Sequence, residues 1–151
     1  MNKSLTTEPD SLPLVVLIED DPDHAELMRR SLVKADIDID LLHLNDGKKA
    51  LDYFLSINEE TALPNLILLD LSLPKLDGWQ VLVRLKKSAC AAVPVVVLTS
   101  SSNPDDIARA TQMHANSYIA KPARLQGYID LAQALCSYWL GWNKLAPGIL
   151  K

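Results

Sequence analysis

The chain has 151 residues, 48% of them hydrophobic, which is enough to bury one substantial core and short for two ordinary domains. A formal net charge of −4 offers no basic stripe to neutralise phosphates and argues against nucleic-acid binding by the chain itself. The cysteines, Cys90 and Cys136, have neither metal-ligand spacing nor a disulfide-dense pattern and read as reduced thiols of a cytoplasmic protein; no apolar run approaches the ~20 residues that span a bilayer, and residues 1–10 lack the apolar segment of an export signal.

In chain order, a polar lead (1–12) precedes the apolar run Leu14 to Ile18, of strand length and without polar alternation. Asp23 to Ala35 has helical spacing, with Ala25, Met28, Leu32 and Ala35 on one face. Ile37 to Leu44 alternates Asp38 and Asp40 with Ile37, Ile39 and Leu41, the pattern of an edge strand. Gly47 to Ile57 is helical through Ala50, Leu51, Phe54 and Leu55. Leu66 to Leu69 is a second unalternated strand, followed by a helix over Trp79 to Lys87 that presents Val81, Leu82 and Leu85. The run Val93 to Leu98 predicts a strand, Asp105 to Met113 a helix opened by Asn103-Pro104, Ser117 to Ala120 a weaker strand and Leu125 to Leu135 the last helix.

Strands with no polar face are covered on both sides, as in a parallel sheet between helix layers. Strict alternation of strand and helix therefore predicts an α/β fold, a doubly wound five-stranded parallel sheet, as one domain over 13–142. The tail, 143–151, is too short for an output domain.

The chemistry-bearing residues share a position. Glu19-Asp20-Asp21 follows the first strand, Asp70 the third, Thr99-Ser100 the fourth and Lys121-Pro122 the last. The carboxyl ends of parallel strands share one edge, so these residues converge. Clustered carboxylates repel unless a cation neutralises them, and oxygen ligation from Asp20 and Asp70 suits Mg²⁺. The arrangement serves phosphoryl transfer, with Asp70 as nucleophile, Lys121 paired to a phosphoryl oxygen and Thr99 donating to another.

The stretches Leu17-Ile18-Glu19-Asp20-Asp21, Leu69-Asp70-Leu71-Ser72-Leu73-Pro74-Lys75-Leu76-Asp77-Gly78, Val97-Leu98-Thr99-Ser100 and Tyr118-Ile119-Ala120-Lys121-Pro122 resemble response-regulator receiver domains over Pro13 to Trp139. The resemblance implies a flavodoxin-like (βα)5 fold with strand order 2-1-3-4-5. It implies Glu19 and Asp20 as the acidic pair for Mg²⁺, Asp70 as phosphoacceptor and the Ser72 backbone carbonyl as a further metal ligand. Thr99 would be the switch hydroxyl, Tyr118 a rotating aromatic, and Lys121-Pro122 a cis peptide. The segments Pro64 to Leu71, Thr99 to Asp106, Ala115 to Tyr118 and Ser137-Tyr138-Trp139-Leu140 are similar to the stand-alone regulators of bacterial and cyanobacterial phytochromes. That implies a phytochrome histidine kinase as phosphodonor, a downstream protein reached in trans, and a homodimer.

Plainer readings compete at several positions. Asp21 and Asp23 suit a helix start, Asp105 and Asp106 a helix first turn, and Asp77-Gly78 a turn. Tyr118 reads equally as a core aromatic, and Tyr138, Trp139 and Trp142 as a cover for the core or as an interface. His24, His43 and His114 share no spacing with the acidic cluster and read as surface or satisfied histidines. A Mg²⁺-dependent aspartyl phosphohydrolase fits less well. Such enzymes resemble a pattern with the nucleophile and, two residues later, a second Asp on the first strand, then a Thr, and with further acidic residues beyond the Lys; here the first strand ends Glu19-Asp20-Asp21-Pro22-Asp23 without that Thr, and Asp130 is the only acidic residue after Lys121.

Overall fold

Five strands, β1 (Leu14–Ile18), β2 (Asp40–Leu44), β3 (Leu66–Leu69), β4 (Val95–Thr99) and β5 (Ser117–Ala120), pair in parallel in the order β2-β1-β3-β4-β5. The computed structural model describes residues 11–73 and 77–144. Most of the polar lead, residues 74–76 of the Asp70 motif and residues 145–151 of the tail lie outside the described residues.

Successive side chains of a strand point to opposite faces, and here both faces are covered. Val16, Ile18, Ile67, Leu69, Val95 and Val97 pack in one layer with residues of α2 (Gly47–Ser56), α3 (Gly78–Leu85) and α4 (Pro104–Gln112), among them Phe54, Leu82 and Ala110. Val15, Leu17, Leu66, Leu68, Val96 and Leu98 pack in the other with Met28 and Leu32 of α1 (Pro22–Lys34) and Tyr128 and Leu135 of α5 (Leu125–Leu135). This is why β1, β3 and β4 carry no polar alternation. Each fully buried Val, Leu or Ile contributes about 1.5–3 kcal/mol of transfer free energy. β2 and β5, at the sheet edges, are only partly buried.

Some boundaries differ from the sequence expectation for identifiable reasons. β4 starts at Val95 because Pro94 has no N–H for the ladder, although its carbonyl still accepts from Ile67. β2 starts at Asp40: Ile37 is instead held to the end of α1, its N–H donating to the Leu32 carbonyl, with Asp36 in the left-handed region at φ 59°. α1 starts at Pro22, since the Asp21 side chain accepts from the Asp23 and His24 N–H groups. After α5 the chain widens into a π-helical segment, Cys136–Trp142. There Trp139 packs partly into the α1–α5 layer, whereas Tyr138 and Trp142 are exposed. Among the described residues no peptide bond is cis, so Lys121-Pro122 is trans, contrary to the expectation. The trans isomer is the intrinsically favoured one, and here Lys121 continues the ladder through its N–H to the Thr99 carbonyl.

Candidate functional site

The sheet pins the site residues by the last rungs of its ladder. Glu19, one residue past β1, donates its N–H to the Leu44 carbonyl; Asp70, one past β3, donates to Ile18; Lys121, one past β5, donates to Thr99, the last residue of β4. Adjacent strands thus deliver Glu19, Asp70, Thr99 and Lys121 to one edge, and all but Lys121 are buried as whole residues. Such groups need partners at short range.

The three charged ones find them in each other. The Lys121 ammonium, its side chain only 5% exposed, lies 2.7 Å from Glu19 Oε1 and 3.0 Å from Asp70 Oδ2. Glu19 Oε2 accepts from the Asp21 N–H at 3.2 Å, and Asp70 Oδ1 accepts from the Ser72 N–H at 3.1 Å. One oxygen of each buried carboxylate is therefore turned to backbone and the other to the ammonium. Burial pushes the Glu19 carboxyl up to about 7; the hydrogen bond from Lys121 pulls the other way, and the Asp70 charge adds to the rise. Burial also opposes the charge on Lys121, but Glu19 and Asp70 outweigh it and hold the amine above its ordinary value.

Asp20 completes the acidic group from the more open side: Glu19, Asp20 and Asp70 can each offer a carboxylate oxygen with all such atoms within 4.8 Å of one another. Three carboxylates facing one ammonium leave uncompensated negative charge, and the donors are all oxygen. This set fits a hard divalent cation that keeps part of its water.

The remaining expected residues divide. Thr99 is buried at the end of β4, on the same rim. Ser72 is exposed in the loop after Asp70, joined to it through the backbone contact already described. Tyr118 is partly buried against the α2–α4 layer, and its hydroxyl donates to the Ser101 carbonyl at 2.8 Å, which ties β5 to the loop between β4 and α4. Gly78 opens α3 directly over this loop system: a Cβ there would run into Leu71 Cα and stand 2.6 Å from the Asp70 carbonyl oxygen. Asp77 serves as a helix cap, accepting from the Gln80 N–H.

His24 is the residue that sequence reasoning missed. Its Nδ1 lies 2.8 Å from Lys121 Nζ. The available signal was positional, because a side chain in the first turn of a helix tilts back toward the helix N-terminus, and α1 begins immediately after the acidic cluster. His43 is satisfied, as expected, by the Glu19 carbonyl at 2.7 Å.

The family model of the response regulator receiver domain matches residues 15–133. Among relatives, the chain is 42% identical over 138 residues to the probable methanogenesis regulatory protein FilR2 of Methanothrix harundinacea, covering 89% of this chain and 88% of that one. It is 35% identical over 139 residues to the response regulator Rcp1 of Synechocystis, covering 90% and 95%. Among solved structures, the phosphorylated cyanobacterial phytochrome response regulator RcpA superposes with a TM-score of 0.81 at 33% identity, covering 89% of this chain and 99% of that one. The Mn²⁺-bound form of Rcp1 gives 0.78 at 36%, with the same coverage. Receiver domains bind divalent cations at an acidic site and interact with histidine kinases, and no described helix here is long and apolar enough to cross a membrane. With this sheet order, this rim of acidic and basic groups and a match over most of its length, the chain belongs to the response regulator receiver domain family and is a signalling protein of the two-component type.

Proposed function

We propose that the chain accepts a phosphoryl group from a histidine kinase onto Asp70 and changes its partner-binding surface in response. The observation that carries this reading is the Asp70 carboxylate itself: buried at a strand end, 3.0 Å from the Lys121 ammonium and grouped with the Glu19 and Asp20 carboxylates. In the transfer, an Asp70 oxygen forms the new O–P bond as the N–P bond to the donor imidazole breaks, and the released histidine takes up a proton. A bound Mg²⁺, held by Glu19, Asp20, Asp70 and the Ser72 carbonyl, would offset the charge of the incoming phosphoryl oxygens. Lys121 pairs with one of those oxygens and Thr99 donates to another.

The conformational readout runs through the β4–α4 loop, since Thr99 begins it and Ser101 holds the Tyr118 hydroxyl. A phosphoryl group that draws Thr99 inward shifts Ser101, and Tyr118 loses or changes its acceptor. Similarity to Rcp1 and RcpA supports a phytochrome kinase as donor, and the exposed Tyr138 and Trp142 support a homodimer. On this reading residues 13–142 form a cytoplasmic receiver acting on a protein in trans, without contact to nucleic acid or membrane. The similarity to FilR2 supports a second choice of circuit, a regulator unconnected to light, with the same chemistry at Asp70. Phosphotransfer from purified phytochrome kinases and from unrelated kinases separates the two.

The test of the chemistry is incorporation of alkali-labile phosphate from acetyl phosphate in Mg²⁺. One phosphate per chain is expected in the parent and none in Asp70→Asn. Phosphate that persists in Asp70→Asn would move the nucleophile elsewhere.

A further inference from the structure

The Lys121 ammonium has three N–H groups and no lone pair, so every close partner must accept from it. Glu19 Oε1 at 2.7 Å and Asp70 Oδ2 at 3.0 Å take two of them, and His24 Nδ1 at 2.8 Å takes the third. Nδ1 must then be the bare ring nitrogen, which leaves the proton on Nε2, the nitrogen 3.6 Å from Asp21 Oδ2. An imidazolium bridging Glu19 and Asp21 is the competing arrangement. It would put two cations 2.8 Å apart with no acceptor between them, while its own contact to Glu19 is 3.9 Å. The short contact decides for the acceptor form.

The three partners differ in what happens to them when the site is used. Glu19 and Asp70 belong to the carboxylate set suited to a divalent cation, so a bound cation draws on the same groups that hold Lys121. Phosphorylation of Asp70 then takes away the carboxylate oxygen as acceptor and offers Lys121 a phosphoryl oxygen in its place. The His24 ring lies outside that set and comes from a different element, the first turn of α1, whose start is fixed by Pro22 and the Asp21 cap.

We propose that His24 is a positioning residue for Lys121, its bare Nδ1 keeping the ammonium aimed at the Asp70 carboxylate when the acidic partners are drawn to a cation. This rests on the reading of Asp70 as phosphoacceptor, and it adds a residue with no counterpart among the motifs that carry the family resemblance.

Two measurements test it. In the free protein, with neither cation nor phosphoryl group, ¹⁵N NMR of the His24 ring is expected to show the proton on Nε2 and a hydrogen-bonded, unprotonated Nδ1 whose signal moves in Lys121→Ala. A protonated Nδ1, or a signal indifferent to Lys121→Ala, overturns the proposal. In the second, beryllofluoride is titrated in Mg²⁺ as a phosphoryl mimic. His24→Ala is expected to bind it about tenfold more weakly, the weight of one hydrogen bond to a charged group. His24→Asn, whose Oδ1 takes the place of Nδ1, recovers most of the loss, and in a Lys121→Ala background His24→Ala costs nothing further. Equal affinity in His24→Ala and parent, or the same tenfold loss without Lys121, contradicts the proposal. A parent that does not bind beryllofluoride at all would instead remove the phosphoacceptor reading, while the NMR result still judges the His24–Lys121 contact.

Discussion

Glu19 is a carboxyl carried almost wholly out of water, and the Lys121 ammonium compensates only in part. Its folded value of about 7 stands above the 4.5 of an exposed glutamate. Between those two values the folded chain binds more protons than the unfolded one, so stability must fall as pH rises through that window. Denaturant midpoints of the metal-free protein are therefore expected to drop between pH 4.5 and pH 7, and the drop is expected to flatten in Glu19→Gln. Parallel curves for parent and variant would contradict this. Cys90 shows the same physics without a function: burial raises its thiol to about 11. Almost no thiolate exists at neutral pH, and alkylation of Cys90 is expected only as fast as the chain opens, whereas fast labelling of the folded protein would show the site to be accessible.

The close approach of α3 to the Asp70 loop rests on Gly78. A Cβ at Gly78 would collide with the backbone of Leu71 and Asp70, so Gly78→Ala must push α3 off the Asp70 loop. A loss of about 3 kcal/mol is expected in urea titrations, against about 1 kcal/mol for Asp77→Ala, which removes only the cap to Gln80. A Gly78→Ala protein as stable as the parent would show that the loop yields freely.

The elements themselves were largely legible in the sequence, because both faces of β1, β3 and β4 are covered and their apolar runs are unbroken. The exceptions have local causes. Pro94 shortens β4, the α1 cap consumes the first residues assigned to β2, and the π-helical end of α5 has no pattern that distinguishes it from a continuing helix. The meeting of Glu19, Asp20, Asp70, Thr99 and Lys121 at one rim was legible because topology alone sends strand ends to one edge. His24 was not, since its role depends on the tilt of one helix turn, and neither was the trans Lys121-Pro122 bond, which the backbone settles locally.

At the scale of the whole molecule, one sheet between two helix layers brings groups from the ends of β1, β3, β4 and β5 to one edge, where the loop after β4 is tied to β5 through the Tyr118 hydroxyl. The carboxylates gathered at this rim are expected to hold a divalent cation beside Asp70. Crystals grown with Mn²⁺ and examined for its anomalous scattering test this. One strong peak is expected within coordination distance of the Asp20 and Asp70 carboxylates and the Ser72 carbonyl oxygen. A peak at another surface, with that rim empty, would contradict it.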